Sequence, residues 1–208
     1  MAEHPYDDIE IEAPDSGALV RKRLHMFFGA GPGDPKLGAN VLSVLGEDLL
    51  HTVTSVAPAH TSYARIEITG DRSITVSVDQ PHRWQASGTP ALGPSGSLLG
   101  NEWWSLSAVA ALSAEVTVEL WCGGRGFRQD CAGLRPLGGI QEFQPPDGSG
   151  TRVSFALDPA HIGPDVVFPT ELERVNLHGP LRSAPSGPGQ LLIRDYRRGP
   201  AARDVRYH

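Results

Sequence analysis

Two short segments, ARIEIT (64–69) and SITVSVD (73–79), alternate apolar and polar residues without a break, and only the turn GDR separates them. Alternation with period two on both sides of a tight turn fits a β-hairpin with one buried face. A helix would instead place its apolar residues three and four apart. A buried hairpin face needs an apolar layer to cover it, and the chain supplies one. From Leu37, apolar residues recur at Val41, Val44, Leu45, Leu49 and Val53, the spacing of an amphipathic helix over 37–53.

The remaining segments extend this pattern. GALVRKRLH (17–25) predicts a short helix, followed by the loop GAGPGDPK, and WWSLSAVAALS (103–113) predicts another. Residues 80–101 read as loop. Strands are expected over 114–122, 126–132, 137–143, 151–157 and 190–196, with a helix near 170–177. Helices are few and fall between runs of mostly antiparallel strands. The expected class is therefore α+β, a two-layer sandwich of a mixed, mostly antiparallel sheet with helices on one face. The 24 glycines and 18 prolines keep the elements short. The chain has 208 residues and neither an internal repeat nor a long linker, so one domain is expected. It would carry an N-terminal arm over 1–16 and a loose tail over 200–208.

Eighteen Lys and Arg against 24 Asp and Glu give a net charge of −6, which argues against a broad electrostatic footprint on nucleic acid or anionic lipid. No run approaches 18 apolar residues, and the acidic start MAEHPYDDIEIEAPDSG lacks the apolar core of a signal peptide. A cytoplasmic protein without a membrane span is expected. Cys122 and Cys131 flank a hairpin turn that would pair Cys122 with a residue near Phe127, so no disulfide is expected. Without histidines at ligand spacing they make no zinc site either.

Several segments, in colinear order over about residues 6–199, resemble the N-terminal ATPase domain of the DNA gyrase B subunit. VRKRLHMFFG (20–29) is similar to that family's VRKRPGMYIG, and GSGTRVSFALDP (148–159) to its TGTxVxFxPD. LSAVAALSAEVTVELWCGGRGFRQDCAGLRP (106–136) resembles its run of helix, strand, hairpin and returning strand. LLIRDYRRG matches its closing strand, and Tyr6-Asp7 a Tyr-Asp near its start. The resemblance implies a Bergerat-type (GHKL) sandwich with a ligand pocket between sheet and helices.

The nucleotide motifs depart from that family. Where it has a Glu that activates water and an Asn that holds Mg²⁺, this chain has Ser43 and Glu47, and a serine cannot act as a base near neutral pH. The Asp-x-Gly-x-Gly motif reads Asp79-Gln80-Pro81-His82-Arg83, without glycine. The phosphate loop reads GNEWWS (100–105), where Trp103 and Ser105 replace glycines that let backbone N–H groups cradle phosphate. The resemblance also implies a following domain that supplies a lysine to the γ-phosphate, and that lysine is not expected within these 208 residues. Hydrolysis of ATP in the gyrase manner is not expected.

Three family positions persist: Asp79 and Thr151, which the resemblance places at the adenine end, and Arg128 at the pocket rim. Two functions remain open. In one, the pocket takes a small, largely apolar organic molecule, as a binder or as a cofactor-free enzyme performing cyclisation, isomerisation or elimination. Asp79 or Glu47 would move the proton and Arg128 would stabilise negative charge, with Thr151, Ser43, His82, Glu102 and Trp103 lining the ligand. In the other, the chain is a non-enzymatic mimic that contacts gyrase or a related partner, with a homodimer allowed by the retained VRKR segment.

Each residue also has an ordinary structural reading. Asp79 suits a turn, and alternation sets it opposite Ile74, Val76 and Val78. Arg128 suits a surface strand, Thr151 any strand, and Glu47 a solvated helix face. His82 and Glu102 suit a loop, and of Trp103 and Trp104 one suits the core.

Overall fold

The computed structural model describes residues 15–50, 61–80, 83–93, 96–100, 104–172, 175, 189–199 and 203–207. In chain order the strands are β1 (Tyr63–Ile68), β2 (Ser73–Val78), β3 (Ser113–Cys122), β4 (Arg125–Ala132), β5 (Arg135–Pro136), β6 (Gln141–Phe143), β7 (Gly150–Leu157), β8 (Gln190–Asp195) and β9 (Arg203–Tyr207). The helices are α1 (Ser16–Lys22), α2 (Leu24–Phe28), α3 (Leu37–Leu49), α4 (Trp104–Ala111) and α5 (Pro159–Ile162). The class is mixed α+β, with one large, mostly antiparallel open sheet and few helices.

The hairpin of β1 and β2 is the centre of that sheet, with Ile66 opposite Val76. The strand order is β5-β4-β3-β7-β2-β1-β8-β9, and β6 pairs with β4. Among these strands only β1 and β8 run parallel. Alternation gives the sheet two unlike faces. Ala64, Ile66, Ile68, Ile74, Val76 and Val78 lie buried in the hydrophobic core, together with Leu42, Leu45 and Leu49 of α3 and Leu106 and Val109 of α4. A fully buried Leu or Ile contributes roughly 1.5–3 kcal/mol, so burial of this layer is a major part of the driving force for folding.

Several boundaries differ from the sequence reading. The single helix expected over 17–25 is two helices, because the chain turns at Arg23 (φ −122°, ψ 36°) before α2 begins. The helix expected over 37–53 is described to Leu49, and residues 51–53 lie outside the described residues. Of the strand expected over 137–143, only β6 at its end forms; a separate two-residue strand, β5, precedes the expected range, and the two pair with different parts of β4. The helix expected near 170–177 falls mostly outside the described residues. Part of the tail expected to be loose is β9, which adds antiparallel to β8. A bidentate contact joins the two strands: Arg194 donates to Asp204 at 2.8 and 2.7 Å.

A second set of contacts ties the segment after β7 to the end of the sheet. The Arg197 guanidinium donates to Asp195 and to the carbonyls of Phe168 and Pro169. Arg72 reaches the Val166 and Pro164 carbonyls. This segment crosses α3 so closely that a Cβ on Gly38 would lie 2.1 Å from the Val167 oxygen.

Candidate functional site

The candidate site is one end of the sheet's core face, where an apolar layer acquires polar groups. Register aligns Phe127, Leu120, Thr151, Val78 and Ala64 across β4, β3, β7, β2 and β1. Thr151 is 3% exposed and is the polar member of this row. Its Oγ1 has no hydrogen-bond partner. One step further along the same face, Gln80 lies two residues beyond Val78 and Ser62 two residues before Ala64. Both are fully buried, and the Ser62 Oγ also has no partner. Trp84 packs edge-on against Phe127, with ring centroids 5.5 Å apart, and its buried Nε1 is unpartnered too. Leaving a buried donor unmet costs about 1–3 kcal/mol, so three of them on one side of a sheet call for an explanation.

The surrounding structure is well anchored. The buried Gln129 side chain, two residues from Phe127 on the same face, accepts from the Leu98 backbone N–H at 2.8 Å. Its Nε2 donates to the Gly138 carbonyl at 3.3 Å. Residues 96–99 are thereby held against the sheet. On the helix side, the Asp48 carboxylate of α3 accepts from the backbone N–H of Ser105 at 3.2 Å and from its hydroxyl at 2.6 Å. The first turn of α4, which the gyrase-like reading assigns to phosphate, therefore already holds an anion from within the chain.

The residues named from sequence do not form one constellation. Asp79 follows β2 with the parity of Ser73, Thr75 and Ser77, on the face away from α3. Its carboxylate accepts from the Tyr63 backbone N–H at 2.9 Å, and its own N–H donates to the Tyr63 carbonyl, which closes the hairpin's open end. Arg128 pairs in register with Glu119, also away from the helices. Its guanidinium lies 3.7 Å from Glu119 and 3.4 Å from Asp130. A one-residue offset in a strand reverses the face, so neither residue projects with Thr151. Ser43 donates to the Ala39 carbonyl one turn back, and Glu47 is half-buried on α3. His82, Glu102 and Trp103 lie outside the described residues.

Gln80, Ser62 and Trp84 are the site residues that the sequence reading missed. For Gln80 the signal was available. The alternation Ile74, Val76, Val78 continues to position 80, whereas motif matching directs attention to the acid at 79. Ser62 and Trp84 have no comparable signal.

The cysteines stay apart, because Cys122 pairs with Arg125 at the turn and Cys131 with Val116 far down the ladder. Both thiols are free, and burial raises the pKa of Cys131. Among the described residues no group of three His, Cys, Asp or Glu could hold a metal ion. Among them, too, no helix is long and apolar enough to cross a membrane. No family model matches this sequence, and no curated protein matches it.

Proposed function

We propose that this chain is a small-molecule binder built on a gyrase B-like ATPase fold. The site between α3 and the core face of the sheet would hold a largely apolar organic ligand, and ATP would not be hydrolysed. The observation that carries the reading is the unpartnered Thr151 hydroxyl, 3% exposed within the row of Leu120, Phe127, Val78 and Ala64. An apolar surface with a few convergent polar groups is the usual make-up of an organic ligand site. The contact of Asp48 with Ser105 supports the loss of nucleotide chemistry, since a carboxylate at the first turn of α4 opposes a phosphate there. Asp79, one of the two residues expected to move a proton in an enzymatic reading, instead holds the Tyr63 N–H. Binding is therefore favoured over turnover, and any acid–base step would fall to Glu47 on α3.

The test is mass spectrometry of the protein purified under non-denaturing conditions, before and after unfolding. The expected result is a small, phosphate-free organic compound that is released on unfolding and reduced in occupancy in a folded Thr151→Val variant. A co-purifying nucleotide, or equal occupancy in the variant, would defeat the proposal.

A further inference from the structure

The unmet groups also indicate the chemical class of the ligand, provided that the proposed site is the right one. We infer that it is a neutral, flat or extended molecule carrying carbonyl-type oxygen acceptors, and that Thr151 and Trp84 are the residues that recognise them. The argument is an inventory of what each group lacks. An indole N–H donates and cannot accept, so Trp84 can be satisfied only by an acceptor. A threonine hydroxyl does either, and so does the serine hydroxyl of Ser62. A single kind of ligand atom, an oxygen with free lone pairs, thus serves all three.

Charge points the same way. The three unmet groups are neutral. The Asp48 carboxylate already accepts two hydrogen bonds from Ser105, the Arg125 guanidinium over the Phe127 ring is already paired with Glu142 and the Gly88 carbonyl, and the Arg128 guanidinium projects from the opposite face beside Glu119 and Asp130. A charged ligand would be desolvated against Thr151 and Trp84 without an opposite charge from either. Spacing adds a size. Trp84 packs on Phe127 of β4, and Thr151 lies on β7, two strands away across β3. Neighbouring strands are about 4.8 Å apart, so the strands that carry Phe127 and Thr151 are roughly 10 Å apart, the span of two or three fused rings.

The experiment compares fluorenone with fluorene, flat tricyclic molecules of the same outline that differ by one carbonyl oxygen. Binding of each to the full chain is measured by equilibrium dialysis, for the parent, Thr151→Val and Trp84→Phe. Melting temperatures of all three proteins establish that they are folded. The expected result is a three- to tenfold preference of the parent for fluorenone, reduced to near parity in at least one variant. Equal binding of the two compounds by the parent overturns the acceptor inference and leaves the apolar-site reading standing. A preference that neither variant alters overturns the assignment to Thr151 and Trp84. Failure of both compounds to bind the parent counts against the site itself.

Discussion

Asp195 and Arg197 form a close pair at the end of β8, with a 2.7 Å contact and side chains only 6% and 10% exposed. Hydrogen bonds from Arg197 hold the Asp195 carboxyl below the usual carboxylate range, outweighing the opposing effect of burial. A lowered folded-state pKa adds stability above the unfolded value of about 3.9, and that stability is lost as pH falls through the folded value. Asp195→Asn should therefore cost about 1.5–3 kcal/mol at pH 7, a charge-assisted hydrogen bond's share, and progressively less below pH ~4. Urea unfolding at pH 7 and pH 3 checks this, and an equal cost at both would refute it. At this scale the candidate site was only half legible. Thr151 could be picked out because it keeps a recognisable position at the start of a strand. Asp79 was singled out by the same kind of matching, but strand parity turns it away and puts Gln80 in the core. Trp84 was not legible, because its partner Phe127 is 43 residues away in sequence and no local pattern records that contact.

Among the elements, those with strong periodicity were read correctly: the β1–β2 hairpin, α3 through Leu49, and β7. Those fixed by long-range pairing were not. β9 has the sequence RDVRY, whose alternation is limited to Val205 and Tyr207 and too short to stand out, and it forms because Arg194 grips Asp204 and Val205 sits opposite Ile193. The break between α1 and α2 is equally silent in VRKRLH. Two predictions belong here. Gly38→Ala drives a Cβ into the Val167 carbonyl, a backbone atom that cannot swing aside, so overpacking should cost about 1–3 kcal/mol. If chemical denaturation shows Gly38→Ala as stable as the parent, α3 does not cross that segment as closely as described. Asp48→Ala removes the acceptor for two donors of Ser105 in the first turn of α4. It should lower stability by about 0.5–2 kcal/mol, the range for losing a helix-start acceptor. For a chain of this length 1 kcal/mol moves the melting temperature by roughly 2–4 °C, so calorimetry resolves the effect, and an unchanged melting temperature would mean the contact contributes nothing.

The whole molecule divides its chemistry between the two faces of one sheet. On the outer face the arginines meet acids across or along strands: Arg128 and Arg152 with Glu119, Arg65 with Glu67, and Arg194 with Asp204. On the core face, the buried polar groups at one end are neutral and include three that are unmet, while the exposed Arg125 over the Phe127 ring is paired with Glu142. Charges neutralised within the protein do not attract a polyanionic ligand, and the net charge of −6 adds a weak general repulsion. Phosphate faces a further obstacle where the gyrase-like reading would put it, because Asp48 already occupies the donors of Ser105. To bind there, a nucleotide would have to displace a carboxylate or lie beside it, and like charges at close range disfavour both. The parent protein is therefore expected to release no phosphate from Mg-ATP and to show no thermal shift with millimolar ADP. Asp48→Asn removes the charge while keeping the side chain's shape. If repulsion is what excludes phosphate, this variant should bind ADP more tightly than the parent. A parent that ADP stabilises by several degrees would show that the phosphate end of the site remains open, and the proposal of a phosphate-free ligand would fall with it.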